Sequence, residues 1–379
     1  MLPPTMTATA PLLRSLLLAS ALLLAGCAQP GGQLGYYWQS LRGHLALLQA
    51  ARPVQEWIDN PDTPAPLRAR LELAQKARAF AVTDLGLPDN ASYRRFARLD
   101  RSAAVWNVVA AGPYSLQLYR WCFPITGCIG YRGYFREADA RAEGEKLAAT
   151  GLEVNVYGVP AYSTLGYSNW LGGDPLLSTF ITWPEGDFVR LLFHELAHQQ
   201  VYAEGDTAFN ESYATAVERL GVQRWLEVHS TPAVRAQYAA SEQRRSQFRA
   251  LTGATRARLA EIYASDTGGT TGYQALAAMK TAAMRQFHSD YAALRTRWLA
   301  ERMAPTQLAA LDHWVREANN ASFAAQGAYD DLVPVFMALF EREGRDWPRF
   351  HAAVRALARL PQAERQEALK ALAPPAGGD

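Results

Sequence analysis

The residues best suited to chemistry lie in the stretch HELAHQQVYAEGDTAFNE, at positions 194–211. Residues four apart on an α-helix share one face, about one turn of 5.4 Å up the axis, so His194 and His198 can present two imidazole nitrogens to one tetrahedral cation. Glu195 is offset around the helix, where it can reach a water molecule on that cation without binding the cation itself. The spacing therefore predicts a metal site with an adjacent general base.

A third ligand is expected from the segment that follows. After the sequence EGD at 204–206, which has the composition of a turn, the chain continues as FNESYATAVE. A turn of this length lets a second helix fold back against the first and bring a carboxylate toward the two histidines. Glu211 and Glu218 are the candidates, because they lie two helical turns apart on roughly the same face.

Such a site would be suited to hydrolysis. A metal ion with three protein ligands has a fourth position for water, and it lowers the pKa of that water toward about 7. Glu195 would accept the proton of the water as it attacks a scissile carbonyl, and would then donate it to the leaving amine. Zinc is the expected ion, because two imidazoles and one carboxylate suit it.

The oxyanion that develops during this attack would need one more hydrogen-bond donor. Tyr202 lies one turn past His198, too close along the metal-binding helix to serve. Four other tyrosines stay open as donors, with packing as the alternative role of each: Tyr162, Tyr167, Tyr213 and Tyr329.

Two helices are expected to position these residues. The first is expected to start in the sequence PEGD at 184–187 and to continue through Ala203. The second is expected from about Asn210 to Leu220, with Gly221 as its C′ residue. Around them, apolar spacing predicts further helices before residue 85 and after residue 226.

A small sheet is expected upstream of the histidines. Residues 152–157, LEVNVY, alternate between apolar and polar with period two, which is typical of a half-buried strand. We therefore expect an α+β fold that is mostly helical. It would form a single domain over residues 37–375, with a core at 100–225 and a helical remainder at 226–375.

The N-terminus indicates export and lipidation. The segment SLLLASALLLA follows Arg14 and is too short to span a bilayer comfortably, as in a signal peptide. LAGC at 24–27 resembles the bacterial lipobox, which implies a lipoprotein signal peptide at 1–26, lipidation of Cys27 and an anchored tether at 27–36. Alanine at position 28, where aspartate would retain the protein in the inner membrane, implies the outer membrane facing the periplasm. A plain secretory signal is the alternative.

Cysteine usage and charge narrow the class of protein. In an oxidising compartment Cys122 and Cys128 can form a disulfide, with two free buried thiols as the alternative. The net charge of +2, without long runs of Lys or Arg, argues against a nucleic-acid partner. The serine-hydrolase motif GxSxG, the P-loop and the dinucleotide fingerprint do not occur in the sequence.

HELAHQ followed by NESYATAVE is similar to the gluzincin zinc peptidases, especially the aminopeptidases among them. From about 121 to 221 the sequence more closely resembles a bacterial family of predicted lipoprotein aminopeptidases. The stretches that carry this resemblance are WCFPITGC, YRGYF, AYSTLGYSNWLGGDPLLSTF, FHELAHQ and FNESYATAVE. The resemblance implies a gluzincin-like metallopeptidase, with a small sheet beside the HExxH helix, one Zn²⁺ ion and a peptide substrate.

In gluzincins the glutamate of the Asn-Glu pair is the third zinc ligand, which implies Glu211. The linker from His198 is shorter here than in the well-known gluzincins, and spacing alone would favour Glu218. We expect Glu211 as the ligand and Glu218 as the residue that orients a histidine. A gluzincin strand upstream of the metal helix pairs with substrate, which implies a strand and edge over 154–167. The implied substrate contacts are Tyr162, Ser163, Thr164, Leu165 and Gly166.

Two interpretations of function stay open. The chain is either a metallopeptidase or a non-catalytic envelope lipoprotein that has a structural or vestigial metal site and acts by binding partners. Three ligands together with Glu195 favour catalysis, because a structural zinc site is normally closed by a fourth protein ligand. Aminopeptidase specificity rests on the resemblance alone, since the sequence has no GAMEN-like segment to hold a substrate's α-amine.

Overall fold

The computed structural model describes residues 33–123, 127–164, 172–265 and 269–373. The helices in these ranges are α1 (Gln33–Ala50), α2 (Val54–Asp59), α3 (Ala65–Thr83), α4 (Glu137–Ala148), α5 (Glu185–Gln200), α6 (Thr207–His229), α7 (Pro232–Ala264), α8 (Gly269–Ala300), α9 (Pro305–Glu317), α10 (Asn320–Asp330), α11 (Val333–Arg342), α12 (Trp347–Ala358) and α13 (Gln362–Leu372). The strands are β1 (Arg52–Pro53), β2 (Arg95–Ala97), β3 (Val105–Ala111), β4 (Trp121–Phe123), β5 (Gly127–Ile129), β6 (Arg132–Tyr134), β7 (Glu153–Val159) and β8 (Leu176–Leu177).

The main sheet is antiparallel, in the order β6-β3-β7. Its central strand β3 is an almost continuous apolar run because both of its faces are covered. Val108 belongs to a cluster with Ala140 of α4 on one face, and Val109 belongs to a cluster with Ala321 of α10 on the other. Two smaller sheets accompany it, namely β1-β2-β8, in which β2 and β8 run parallel, and the hairpin β4-β5.

Helices α5 and α6 pack closely against each other at the centre of the main core. Gly221 makes this approach possible, since an added Cβ would lie 2.7 Å from Leu85 Cδ1 and 3.0 Å from Phe193 Cδ2. The expectation that Gly221 ends the second helix is therefore wrong, because α6 continues through it to His229. This glycine is required for packing in mid-helix, where it costs roughly 1 kcal/mol in helix propensity relative to alanine.

The helical remainder has a second apolar core. The long helices α7 and α8 pack against each other, and α9 packs on α8. Phe287, Trp298, Leu308 and Phe323 are buried in this cluster. None of the described helices is both long and apolar enough to cross a membrane.

Three expected boundaries differ from the structure. Helix α1 already includes Gln33, inside the expected tether, and its Tyr36 packs on Phe123 and Tyr134. Of the strand and edge expected over 154–167, the strand β7 ends at Val159 and the described residues to Thr164 have no strand structure; α5 ends at Gln200 instead of Ala203. The signal peptide at 1–26, Cys27, and the positions Leu165, Gly166 and Tyr167 lie outside the described residues.

Candidate metal centre

Helix α5 presents the two histidines to each other. It begins after Pro184, and two acidic side chains in its first turn, Glu185 and Asp187, interact favourably with the helix dipole. His194 and His198 follow one turn apart on one face, both buried, with their Nε2 atoms 3.1 Å apart.

The turn after α5 fixes where α6 starts. Asp206 caps α6 by accepting a hydrogen bond from Phe209 N at 3.1 Å. The side chain of Asn210 reaches back across the turn, accepting from Ala203 N at 2.7 Å and donating to Ala203 O at 2.8 Å. The asparagine of the Asn-Glu pair therefore locks the turn, and the glutamate beside it, Glu211, faces the histidines.

His194, His198 and Glu211 form one compact donor set. Glu211 Oε2 lies 3.4 Å from His194 Nε2 and 3.5 Å from His198 Nε2. Ligands of a tetrahedral cation, at about 2.0–2.1 Å from it, are separated by about 3.3–3.4 Å, so these three distances fit such an ion. Among the described residues this is the group of histidine, cysteine and carboxylate side chains that could hold a metal ion.

Glu218 contacts the other side of His194. Its Oε2 lies 3.0 Å from His194 Nδ1, and its Oε1 lies 3.3 Å from Arg190 Nη1. The structure thus places Glu211 on the Nε2 side of the ring, facing His198, and Glu218 on the Nδ1 side. A carboxylate at Nδ1 fixes the ring orientation and favours the tautomer in which Nδ1 carries the proton and the Nε2 lone pair can bind a metal.

The buried carboxylates of Glu211 and Glu218 favour a positive charge at the donor set. Burial alone would lower the pKa of His194, but its hydrogen bonds to Glu211 and Glu218 raise that pKa to about 10. Burial likewise opposes ionisation of Glu211, yet His198 and His194 lower its pKa to about 2. Burial raises the pKa of Glu195. A divalent cation at the donor set would supply the charge that a protonated His194 supplies without it.

A cleft of about 1050 Å³ opens on this donor set. Its lining includes Glu195, partly buried on α5, and aromatic side chains from α1 and the strands. The volume exceeds that of most small-molecule pockets, roughly 300–1,000 Å³, so a short peptide fits inside it.

The expected substrate edge lies partly in this cleft. Tyr162, Ser163 and Thr164 line it, just beyond the end of β7. The carboxylate of Asp174 holds this edge, since it accepts from Thr164 N at 2.9 Å and from Thr164 Oγ1 at 2.7 Å. Gln199 of α5 donates to the same carboxylate at 3.2 Å, which ties the edge to the metal-binding helix.

The four tyrosines left open as donors lie in different places. Tyr162 lines the cleft, as does Tyr202, which was not expected to serve as a donor, and the side chain of Tyr329 lies outside the described residues. Tyr213 lies in the core instead, where its hydroxyl is 2.8 Å from His351 Nδ1. His351 Nε2 donates to the carbonyl of Leu85 at 2.8 Å. Burial lowers the pKa of His351 to about 4, so at neutral pH the ring is uncharged and Nδ1 accepts from Tyr213.

Tyr131 was missed at the sequence level. It follows β5, lines the cleft, and has its pKa raised well above the ordinary value, first by burial and then by the charge of Glu211. It occurs in YRGYF, a stretch that carries the family resemblance, but nothing in its local pattern distinguishes it from a packing residue. The same holds for the arginines that line the cleft.

The hairpin β4-β5 carries a disulfide between Cys122 and Cys128, with an S–S distance of 1.99 Å. Arg120 connects this hairpin to the turn between α5 and α6, because its Nη2 donates to Cys128 O and to Gly205 O, both at 2.7 Å. Gly127 lies against the same turn, where an added Cβ would be 3.0 Å from Gly205 N. The hairpin therefore supports the turn that aligns the donor set.

Comparison with known proteins places the chain in a family. No curated protein and no solved structure matches the chain. A family model described as "Putative aminopeptidase" matches residues 35–369, which is most of the chain and includes the donor set, the cleft and the helical remainder. The chain therefore belongs to this aminopeptidase family.

Proposed function

We propose that this protein is a zinc-dependent peptide hydrolase that acts as an aminopeptidase. The observation that carries the proposal is the triangle of His194, His198 and Glu211, with Glu195 beside it, at the wall of a peptide-sized cleft. Family membership supports a peptidase, and two imidazoles with one carboxylate support zinc. Three protein ligands with an open position are typical of a catalytic zinc site, whereas a structural site is closed by four.

Zinc, when bound, would polarise the scissile carbonyl and activate a water molecule. The side chains of the protein would carry the proton and hold the charge. Glu195 accepts the proton of the attacking water and donates it to the leaving amine. Glu218 holds His194 in orientation through Nδ1. Tyr131 lines the cleft beside Glu211, and its phenol O–H is the donor that we propose for the oxyanion.

We also propose that the protein is exported and anchored to the outer membrane through lipid on Cys27. The LAGC sequence at 24–27 supports this location, and so does a disulfide-bonded hairpin, since disulfides persist in oxidising compartments. Cys27→Ala should move the protein from the membrane fraction to the soluble periplasmic fraction. An unchanged distribution would contradict lipid anchoring.

Metal analysis combined with Glu195→Gln tests the catalytic proposal. We expect one zinc ion per chain in both proteins, and hydrolysis of short peptides only in the wild type. Zinc with full activity in Glu195→Gln would exclude the proposed base, and a chain that binds no metal would exclude the proposed class of enzyme.

A second assay addresses the site of cleavage. A peptide with a free N-terminus and its N-acetylated form differ only in the α-amine that an aminopeptidase must recognise. We expect the free peptide to be cleaved faster. Equal rates would contradict the aminopeptidase assignment while leaving the hydrolase intact.

A further inference from the structure

Five arginines line part of the cleft, and they come from three helices. We call this set the arginine wall; it consists of Arg190, Arg219, Arg244, Arg245 and Arg249. Guanidinium groups in a partly desolvated cleft need anionic partners. Their partners within the protein therefore indicate what else the wall can bind.

Four of the five arginines have acidic partners. The pairs are Arg190 with Glu218 at 3.3 Å, Arg219 with Asp330 at 2.7 Å, Arg245 with Asp187 at 2.5 Å and Glu242 at 2.8 Å, and Arg249 with Glu242 at 2.5 Å. Five cations thus share four carboxylates. One positive charge of the wall is left without an acidic partner among the described residues.

That charge belongs to Arg244. Its hydrogen bond is to a neutral group, from Nη2 to Ser241 Oγ at 3.3 Å. Ser241 and Phe248, three residues before and four residues after it on α7, also line the cleft, so this face of the helix borders the cleft. Arg244 is partly buried, and water therefore screens its charge less than on the open surface.

The described carboxylates of the cleft are committed to other groups. Glu211 and Glu218 contact His194, Asp330 pairs with Arg219, and Glu195 is the proposed base. In the described part of the cleft, Arg244 is therefore a cation without an acidic partner. Apart from Glu195, every carboxylate there already contacts a histidine or an arginine. The charge of this part of the cleft suits a carboxylate of the substrate better than an ammonium group in addition to the substrate's α-amine.

We propose that the arginine wall binds a carboxylate of the peptide substrate through Arg244. This proposal rests on the proposed hydrolase function and names its substrate class, which is peptides with an anionic group within reach of the scissile bond. A planar guanidinium matches a carboxylate with two parallel hydrogen bonds, and this geometry gives specificity as well as affinity. The carboxylate comes either from the C-terminus of a short peptide or from an aspartate or glutamate side chain.

Binding to the zinc-loaded Glu195→Gln variant tests this proposal without hydrolysis. The probes are a tripeptide with a free C-terminal carboxylate and the same tripeptide as its C-terminal amide, compared by calorimetry. We expect the acid to bind about tenfold more tightly than the amide, as for one charged hydrogen-bonded pair. Adding Arg244→Gln should abolish this ratio, and Arg244→Lys should restore part of it.

Arg224→Gln is the matched control, since it removes an exposed arginine of α6 that does not line the cleft. It should preserve the acid-to-amide ratio. Longer peptide amides that carry glutamate or glutamine after the scissile bond then identify the source of the carboxylate. A preference for glutamate there assigns a side chain, and a preference confined to short free acids assigns the C-terminus.

Equal binding of acid and amide, an equal loss of both in Arg244→Gln, or no binding of either would overturn the proposal. The outcome is separable from that of the proposed function. Selective binding of the acid without hydrolysis by the wild type would refute the enzyme and retain the carboxylate site. Hydrolysis by the wild type without selective binding of the acid would retain the enzyme and refute the carboxylate site.

Discussion

Glu218→Gln is the substitution that best separates a metal ligand from the residue that orients one. Glu218 Oε2 lies 3.0 Å from His194 Nδ1, whereas Glu211 Oε2 lies near the Nε2 atoms of both histidines. When Nε2 binds a metal, Nδ1 carries the proton and donates a hydrogen bond to Glu218. Glutamine keeps the size and one acceptor oxygen of this partner but removes its charge.

The expected loss follows from this position. Removing a carboxylate partner of a metal-binding histidine typically lowers metal affinity by about 10- to 100-fold, or roughly 1.4–2.7 kcal/mol. Glu211→Gln should cost more, because it removes the charge of a ligand itself. Glu218→Gln also leaves Arg190 without its acidic partner, so we expect a lower melting temperature in addition.

Competition for zinc against a chromophoric chelator measures both affinities on the same scale. Glu227→Gln is the control, because Glu227 is an exposed carboxylate of the same helix, away from the donor set. Zinc affinity that survives Glu211→Gln but is abolished by Glu218→Gln would refute the ligand assignment. An unchanged affinity in Glu218→Gln would refute the orienting role.

Three further predictions follow from the structure. Tyr131→Phe should lower kcat by roughly 100-fold with zinc content unchanged, and unchanged kcat would exclude this oxyanion donor. Burial lowers the pKa of His351 to about 4, below the 6.5 of an exposed histidine, so the unfolded chain binds more protons and stability falls as pH falls from about 6.5 to 4. The loss, up to about 3 kcal/mol, should shrink in His351→Gln when unfolding is followed against pH. Replacing Cys122 and Cys128 by serine opens a short loop and should cost about 2 kcal/mol in denaturant unfolding, where no change would contradict a closed hairpin.

The sequence identifies the parts of the site that are set by local spacing. His194 and His198 share a face because of helix geometry alone. Spacing favoured Glu218 as the third ligand, and Glu211 was implied by the family resemblance. Family membership was also predictable, since the stretches around these residues carry it. The mostly helical architecture followed from apolar periodicity over long segments.

The rest of the site depends on contacts between distant segments. Tyr131 and Arg244 are 113 positions apart and reach the same cleft only through the packing of β5, β6 and α7 around it. Gly221 depends on distant segments in the same way, because the sequence alone does not distinguish a glycine that ends a helix from a glycine that lets two helices pack closely. Only the positions of Leu85 and Phe193 distinguish them.

The pairing of α5 with α6 explains why the short linker places Glu211, the first of the two glutamates, next to both histidines. Helices α5 and α6 are antiparallel, and each residue further along α5 contacts a residue about one position earlier on α6. The contacting pairs are Glu185 with Trp225, Arg190 with Glu218 and His198 with Glu211. Glu218 is therefore level with Arg190, eight residues or about 12 Å along the axis from His198. From there it reaches the Nδ1 side of His194 but cannot close a triangle with both histidines. The hydrogen bonds of Asn210 to Ala203 hold the turn in the conformation that sets this register.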